Sequence, residues 1–158
     1  MSDTVLSERV AEAMKRGFSD LVREAMEHPL EEEGVEWVTR LYEELGQRLM
    51  SLTPRREDLH LLIHEAMDPS LFRQMLIHDA IDRADVIGLV SFVMGHLLRL
   101  CAPSQDALLV KVRDDLVSMA ERGEPSSSVF PLLLVEVHSA CDEIDNLSRP
   151  ILERLARP

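Results

Sequence analysis

Glycine is too scarce and too scattered in this chain to build a phosphate-cradling loop. The 6 glycines, Gly17, Gly34, Gly46, Gly88, Gly95 and Gly123, never cluster, and no GxSxG elbow occurs. Only 2 cysteines are present, with no CxxC pair and no dense even pattern, so a secreted disulfide scaffold is excluded and Cys101 and Cys141 read as reduced and buried. Lysine is almost missing. Lys15 and Lys111 stand beside 15 arginines, and against 29 acids they leave a formal charge of −12. That balance repels phosphate backbones and anionic lipid, so no nucleic-acid partner is expected. The longest apolar stretch, Val86 to Ala102, is short for a bilayer and carries His96 and Arg99, so no membrane span is expected. Met1-Ser2-Asp3-Thr4 is no basic lead into an apolar signal core, which points to an intracellular, cytoplasmic protein.

What is present is helical periodicity. The 158 residues, 46% of them apolar, suit one domain able to bury its own core without metal or disulfide, with a short N-terminal tail at 1–4. Val10, Met14, Phe18, Leu21, Val22 and Ala25 fall on one helical stripe ending near His28-Pro29. Glu31, Glu32 and Glu33 open a second helix with Val35, Val38, Leu41, Tyr42, Leu45, Leu49 and Leu52 inward. Thr53-Pro54 and Asp68-Pro69 each read as a cap followed by proline in the first turn. Two short helices follow, burying Leu59, Leu62, Ile63 and Ala66, then Leu71, Phe72, Met75, Leu76 and Ile81.

After a cap at Asp82 or Asp85, residues 86–100 are apolar all round and are expected to form the buried central helix, about 85–101. Gly88 and Gly95 on it read as close-packing positions. Cys101-Ala102-Pro103 is a stop, Ser104 a fresh cap, and Asp106 first-turn charge for a helix with Leu108, Val112, Leu116 and Met119 inward, ended by Gly123. The last long helix carries Phe130, Leu133, Leu134, Val137, Cys141 and Ile144, with Pro131 in its first turn. Ser148-Arg149-Pro150 opens a short terminal helix bearing Ile151, Leu152 and Leu155. The expected fold is all-α, an irregular bundle of seven or eight helices.

Candidates for chemistry are few. His60 and His64 share a helix face at i, i+4, with Glu57, Glu65 or Asp68 as a third zinc ligand, but the Glu of a metalloprotease helix is missing; they are weak metal candidates and no cofactor is expected. His78, His96 and His138 are isolated, and a thiolate pairing of Cys141 with His138 and His96 would be opposed by apolar burial. Glu31 to Glu33 and Asp142, Glu143 and Asp145 read first as solvated faces. The sharper reading is an acidic docking surface formed by Glu27, Glu31, Glu32, Glu36, Glu43 and Glu44. Met14, Met26, Met67 and Met75 read as core filling, or as an adaptable groove.

Three segments, 10–24 (VAEAMKRGFSDLVRE), 63–74 (IHEAMDPSLFRQ) and 100–106 (LCAPSQD), resemble the T-complex protein 11 family in order and spacing, from about Val10 to the end of the chain. The resemblance implies an all-helical, non-catalytic domain linked to cAMP-dependent protein kinase pathways, and it supplies no catalytic residues. Members of that family are usually longer than this chain. Cys101, Pro103, Ser104 and Asp106 are read as a structural turn. The leading expectation is a non-enzymatic module binding a protein partner; the rivals are a self-associating structural protein, favoured by an apolar patch of Trp37, Tyr42, Ile151, Leu152 and Leu155, and a small metal enzyme built on His60 and His64.

Overall fold

The computed structural model describes residues 3–100 and 103–156, with the backbone alone at 3–4, 148–154 and 156. Among the described residues the chain forms seven helices: α1 (Asp3–Met26), α2 (Glu32–Ser51), α3 (Glu57–Ala66), α4 (Pro69–Ile77), α5 (Arg83–Leu100), α6 (Pro103–Glu121) and α7 (Ser126–Ala156). The all-helical expectation holds, and the separate short helix expected from Ser148 onward does not form. Helix α7 runs through Ser148 and Pro150 to Ala156 as one element. A proline removes a single ladder N–H, and the good helix formers that follow continue the helix. Pro131 lies in the second turn of α7, not the first, and helix α1 already begins at Asp3, inside the expected tail.

Local chemistry sets the helix ends. Asp68 Oδ1 accepts from the Ser70 and Leu71 amides, capping α4 ahead of Pro69 as the sequence implies. At α5 the two candidate caps act together. The Asp85 amide donates to Asp82 Oδ1 at 2.9 Å and the Asp82 amide to Asp85 Oδ2 at 3.0 Å, a reciprocal capping box. Gly123, at φ +88°, closes α6 with its own amide on the Ala120 carbonyl and the Glu124 amide on that of Met119. Thr53-Pro54 caps nothing: α3 starts later, at Glu57, and 53–56 form turns between helices. Ser104 is the second residue of α6, behind Pro103, so it is not the cap; Cys101 and Ala102 lie outside the described residues.

The core is shared by α7, α2 and α5, and α5 is buried along one face only, not on every side as the composition of residues 86–100 implies. Val129, Leu133, Leu134, Val137 and Cys141 of α7 are completely sealed, as are Val38, Leu45 and Leu49 of α2. Helix α7 packs against α1, α2, α5 and α6. Helix α5 seals only Val90, Val93, Met94 and Leu97, leaves Ile87, Leu89, Phe92 and Leu98 half-buried, and exposes Gly88, Ser91 and Arg99. Its apolar composition covers two needs, a packed face and the wall of a cavity, and periodicity cannot separate these. Elsewhere the inward sets shift. Val10, Met14, Leu21, Leu62, Ala66, Leu71 and Leu108 are exposed, whereas Met67 and Leu109 are buried.

Truncating a sealed side chain is therefore costlier than truncating a half-buried one on α5. Leu133→Ala should destabilise by about 2–5 kcal/mol, and Leu89→Ala by less than half of that, as read from urea denaturation midpoints at constant slope.

Candidate functional site: an apolar groove between two helices

Helix α4 packs on α2, whereas α5 packs on α6 and α7, so two helices that are consecutive in the chain diverge instead of packing along each other. The turn between them allows this. Asp79 takes a left-handed conformation at φ 52°, and the Ala80 amide reaches back to the Met75 carbonyl, ending α4 sharply. Between the helices lies a pocket of about 460 Å³. That volume lies within the range of small-molecule and peptide-anchor sites.

The floor of the pocket is aromatic. Tyr42 and Phe72 stack at 4.1 Å and 5° between planes, and Phe130 lies 5.4 Å from Phe72. Met75 and Leu71 form the α4 wall, and Leu89, Phe92 and Gly88 the α5 wall. Glu65, Asp68 and Asp85 also line the pocket, and no basic side chain does. Burial, with the Asp68 carboxylate adding to it, pushes the Tyr42 phenol up to about 12, so it remains a protonated donor. Its hydroxyl has no hydrogen-bond partner among the described residues. A Cβ added at Gly88 or Gly95 would meet nothing within 4 Å, so neither is a close-packing position.

The histidines play other parts. His60 Nε2 lies 2.7 Å from the Thr53 carbonyl and 3.0 Å from that of Met50, so it donates to both and closes the turn after α2. His64 is exposed, and no group of three or more His, Cys, Asp or Glu among the described residues is placed to hold a metal. His96 stacks near Phe92 with its Nε2 sealed and unpartnered. Burial, then Arg99 and His60, hold its pKa below the ordinary value. Burial and Arg48 do the same for His138, against opposition from Asp142 and Glu44. Burial pushes the Cys141 thiol up to about 11, which leaves it protonated and a poor nucleophile.

The acidic residues of α2 differ in their surroundings. Glu36 is bound by Arg73 of α4 at 2.8 Å, and with Glu32 it borders a shallow depression beside Trp37 and Arg40. Glu43 is exposed, Glu44 faces His138, and Glu31 occupies the cap of α2 without a side-chain bond. Asp142 and Asp145 both pair with Arg48 of α2, and Glu143 accepts from Gln105 of α6. Asp106 lies in the first turn of α6. Sequence reading assigned Tyr42, Phe72, Phe130 and Leu89 to the core and so missed the groove. The one signal pointing to it was the set of methionines, since Met26 and Met75 line the pocket.

The family model for T-complex protein 11 matches residues 2–130, and the chain belongs to that family. The matched segment covers α1 to α6 and the start of α7, and with them every lining residue of the groove except Leu133. It stops short of the remainder of α7, which the resemblance had been expected to include. No solved structure matches the chain.

The lowered pKa values of His96 and His138 give a signed pH dependence. Both bind a proton less readily in the folded chain than in the unfolded one, so the unfolded chain gains protons first as pH falls below about 6.5, and stability is complete above that value and declines beneath it. Tm should fall between about pH 7.5 and pH 5.5 by calorimetry, and His96→Leu should flatten that fall.

Proposed function

We propose that this protein is a non-enzymatic helical interaction module, intracellular and cytoplasmic, that regulates signalling by holding a protein partner in the α4 and α5 groove. The carrying observation is the groove itself, an open apolar cleft with a stacked aromatic floor. Clefts of this form between helices accept an amphipathic segment through its apolar face. The tie to cAMP-dependent protein kinase pathways comes with the family. No reaction is assigned: the buried thiol is protonated, and His60 is occupied by backbone carbonyls.

A second reading, self-association, draws on Leu6, Val10 and Met14 of α1 and Leu147 and Leu155 of α7, all exposed. Tyr42, buried, and Trp37, packed edge-on against Phe18, do not contribute to such a patch, and the side chains of Ile151 and Leu152 lie outside the described ones. Light scattering separates the readings, since a monomeric mass at micromolar concentration removes the second.

Gly88→Phe tests the first. It adds a ring into open pocket space without touching the packed face of α5, so Tm should hold or rise. Crosslinking in the native cell should recover partners with the wild-type chain and lose them with Gly88→Phe. An identical crosslinked set for both would remove the groove from the function.

A further inference from the structure

We infer that the occupant of the α4 and α5 groove is a basic amphipathic helix, with an apolar side chain on the aromatic floor and an Arg or Lys on the carboxylates at the mouth. The inference rests on the docking reading above and specifies the partner's chemistry.

Three observations carry it. The first is charge left uncompensated. Glu65 makes no ion pair or side-chain hydrogen bond among the described residues. Asp68 spends only Oδ1 on the cap of α4, and Asp85 only Oδ2 on the Asp82 amide, so each keeps a second oxygen for a ligand. The arginines that could neutralise them are turned elsewhere. Arg73 is bound to Glu36 at 2.8 Å, and the Arg83 guanidinium lies against Gly123. A cation arriving at this mouth gains three carboxylates and displaces none of the protein's own bases.

The second is the unpaired Tyr42 hydroxyl in the groove, held in its protonated form by burial beside Asp68. It offers an oxygen acceptor to a guanidinium or ammonium that has already entered the acidic mouth.

The third is the extent of the apolar surface, which decides between a peptide and a small molecule. Leu71 lines the pocket yet remains 58% exposed. Leu62, three and four residues before Glu65 and Ala66 on the same helix face, is 49% exposed and carries the apolar surface beyond the pocket along α3. A compact ligand filling 460 Å³ would leave Leu62 in water, whereas a helix lying across the cleft would cover it together with Leu71.

The experiment titrates the full chain with two labelled synthetic helices of about 15 residues, sharing Leu at i, i+4 and i+7 but bearing either Arg or Glu beside them. Phenylbutylamine serves as the small cationic control. Anisotropy gives Kd, and methyl NMR shifts of Leu71, Met75, Leu89 and Val90 report the site. The Arg peptide should bind, shift those methyls, and weaken as salt rises. The triple variant E65Q/D68N/D85N keeps both caps, because Asn caps helices as Asp does, and should weaken the Arg peptide about tenfold. Gly88→Phe should abolish binding while keeping the wild-type Tm, and Gly17→Ala, at an open position of α1 outside the groove, should leave binding unchanged. Arg and Glu peptides binding alike, and both lost in Gly88→Phe, would overturn the basic-helix inference while leaving the docking reading intact. Shifts from phenylbutylamine alone would overturn both in favour of a small cation. No shift from any probe would likewise end both.

Discussion

Helix α7 presents sealed side chains to four neighbours at once, and the positions of the others follow from that demand. Leu133, Leu134 and Val137 leave no solvent-accessible edge, and α2 answers them with Val38, Leu45 and Leu49. Each such side chain contributes on the order of 2 kcal/mol by leaving water, so this pairing dominates the polar ties laid over it. Those ties, Arg48 on Asp142 and Asp145 and Lys15 on Ser139, are exposed or half-exposed and set alignment more than stability.

The groove is a product of that arrangement. Helix α4 is drawn to α2 through the Phe72 and Tyr42 stack, while α5 is drawn to α6 and α7, and a short connection cannot hold them side by side as well. The space left over is lined by residues each half-committed to the core. Tyr42, Phe72 and Phe130 are buried by residue, yet they also line an open cleft.

Much of this was legible in the residues. The inward faces of α2 and α7, the Asp68 cap, the Gly123 stop and the membership of the T-complex protein 11 family all follow from local pattern and motif. What was not legible shares one cause, because periodicity reports which side of a helix is apolar and not what covers it. Residues 86–100 looked central since apolar side chains surround that helix, but a groove wall needs them as much as a core does. Val10 and Met14 continued a stripe that Val22 and Met26 bury further along, yet they stand in solvent. Glu36 belongs to the acidic set of α2 by sequence, and its pairing with Arg73, 37 residues away by way of α3, is visible only in the fold. The site's own acids, Glu65, Asp68 and Asp85, come from three segments that only the fold brings together.

Helix α4 is nine residues long and rests chiefly on one neighbour, between an Asp cap at its start and a left-handed aspartate after its end. Its seat is made by Phe72, stacked on Tyr42, by Leu76 in the core and by Arg73 on Glu36 of α2. One jaw of the cleft is thus a short rod seated on a single neighbour, so a truncation at Phe72 would alter the width of the mouth without removing a sealed side chain of α7.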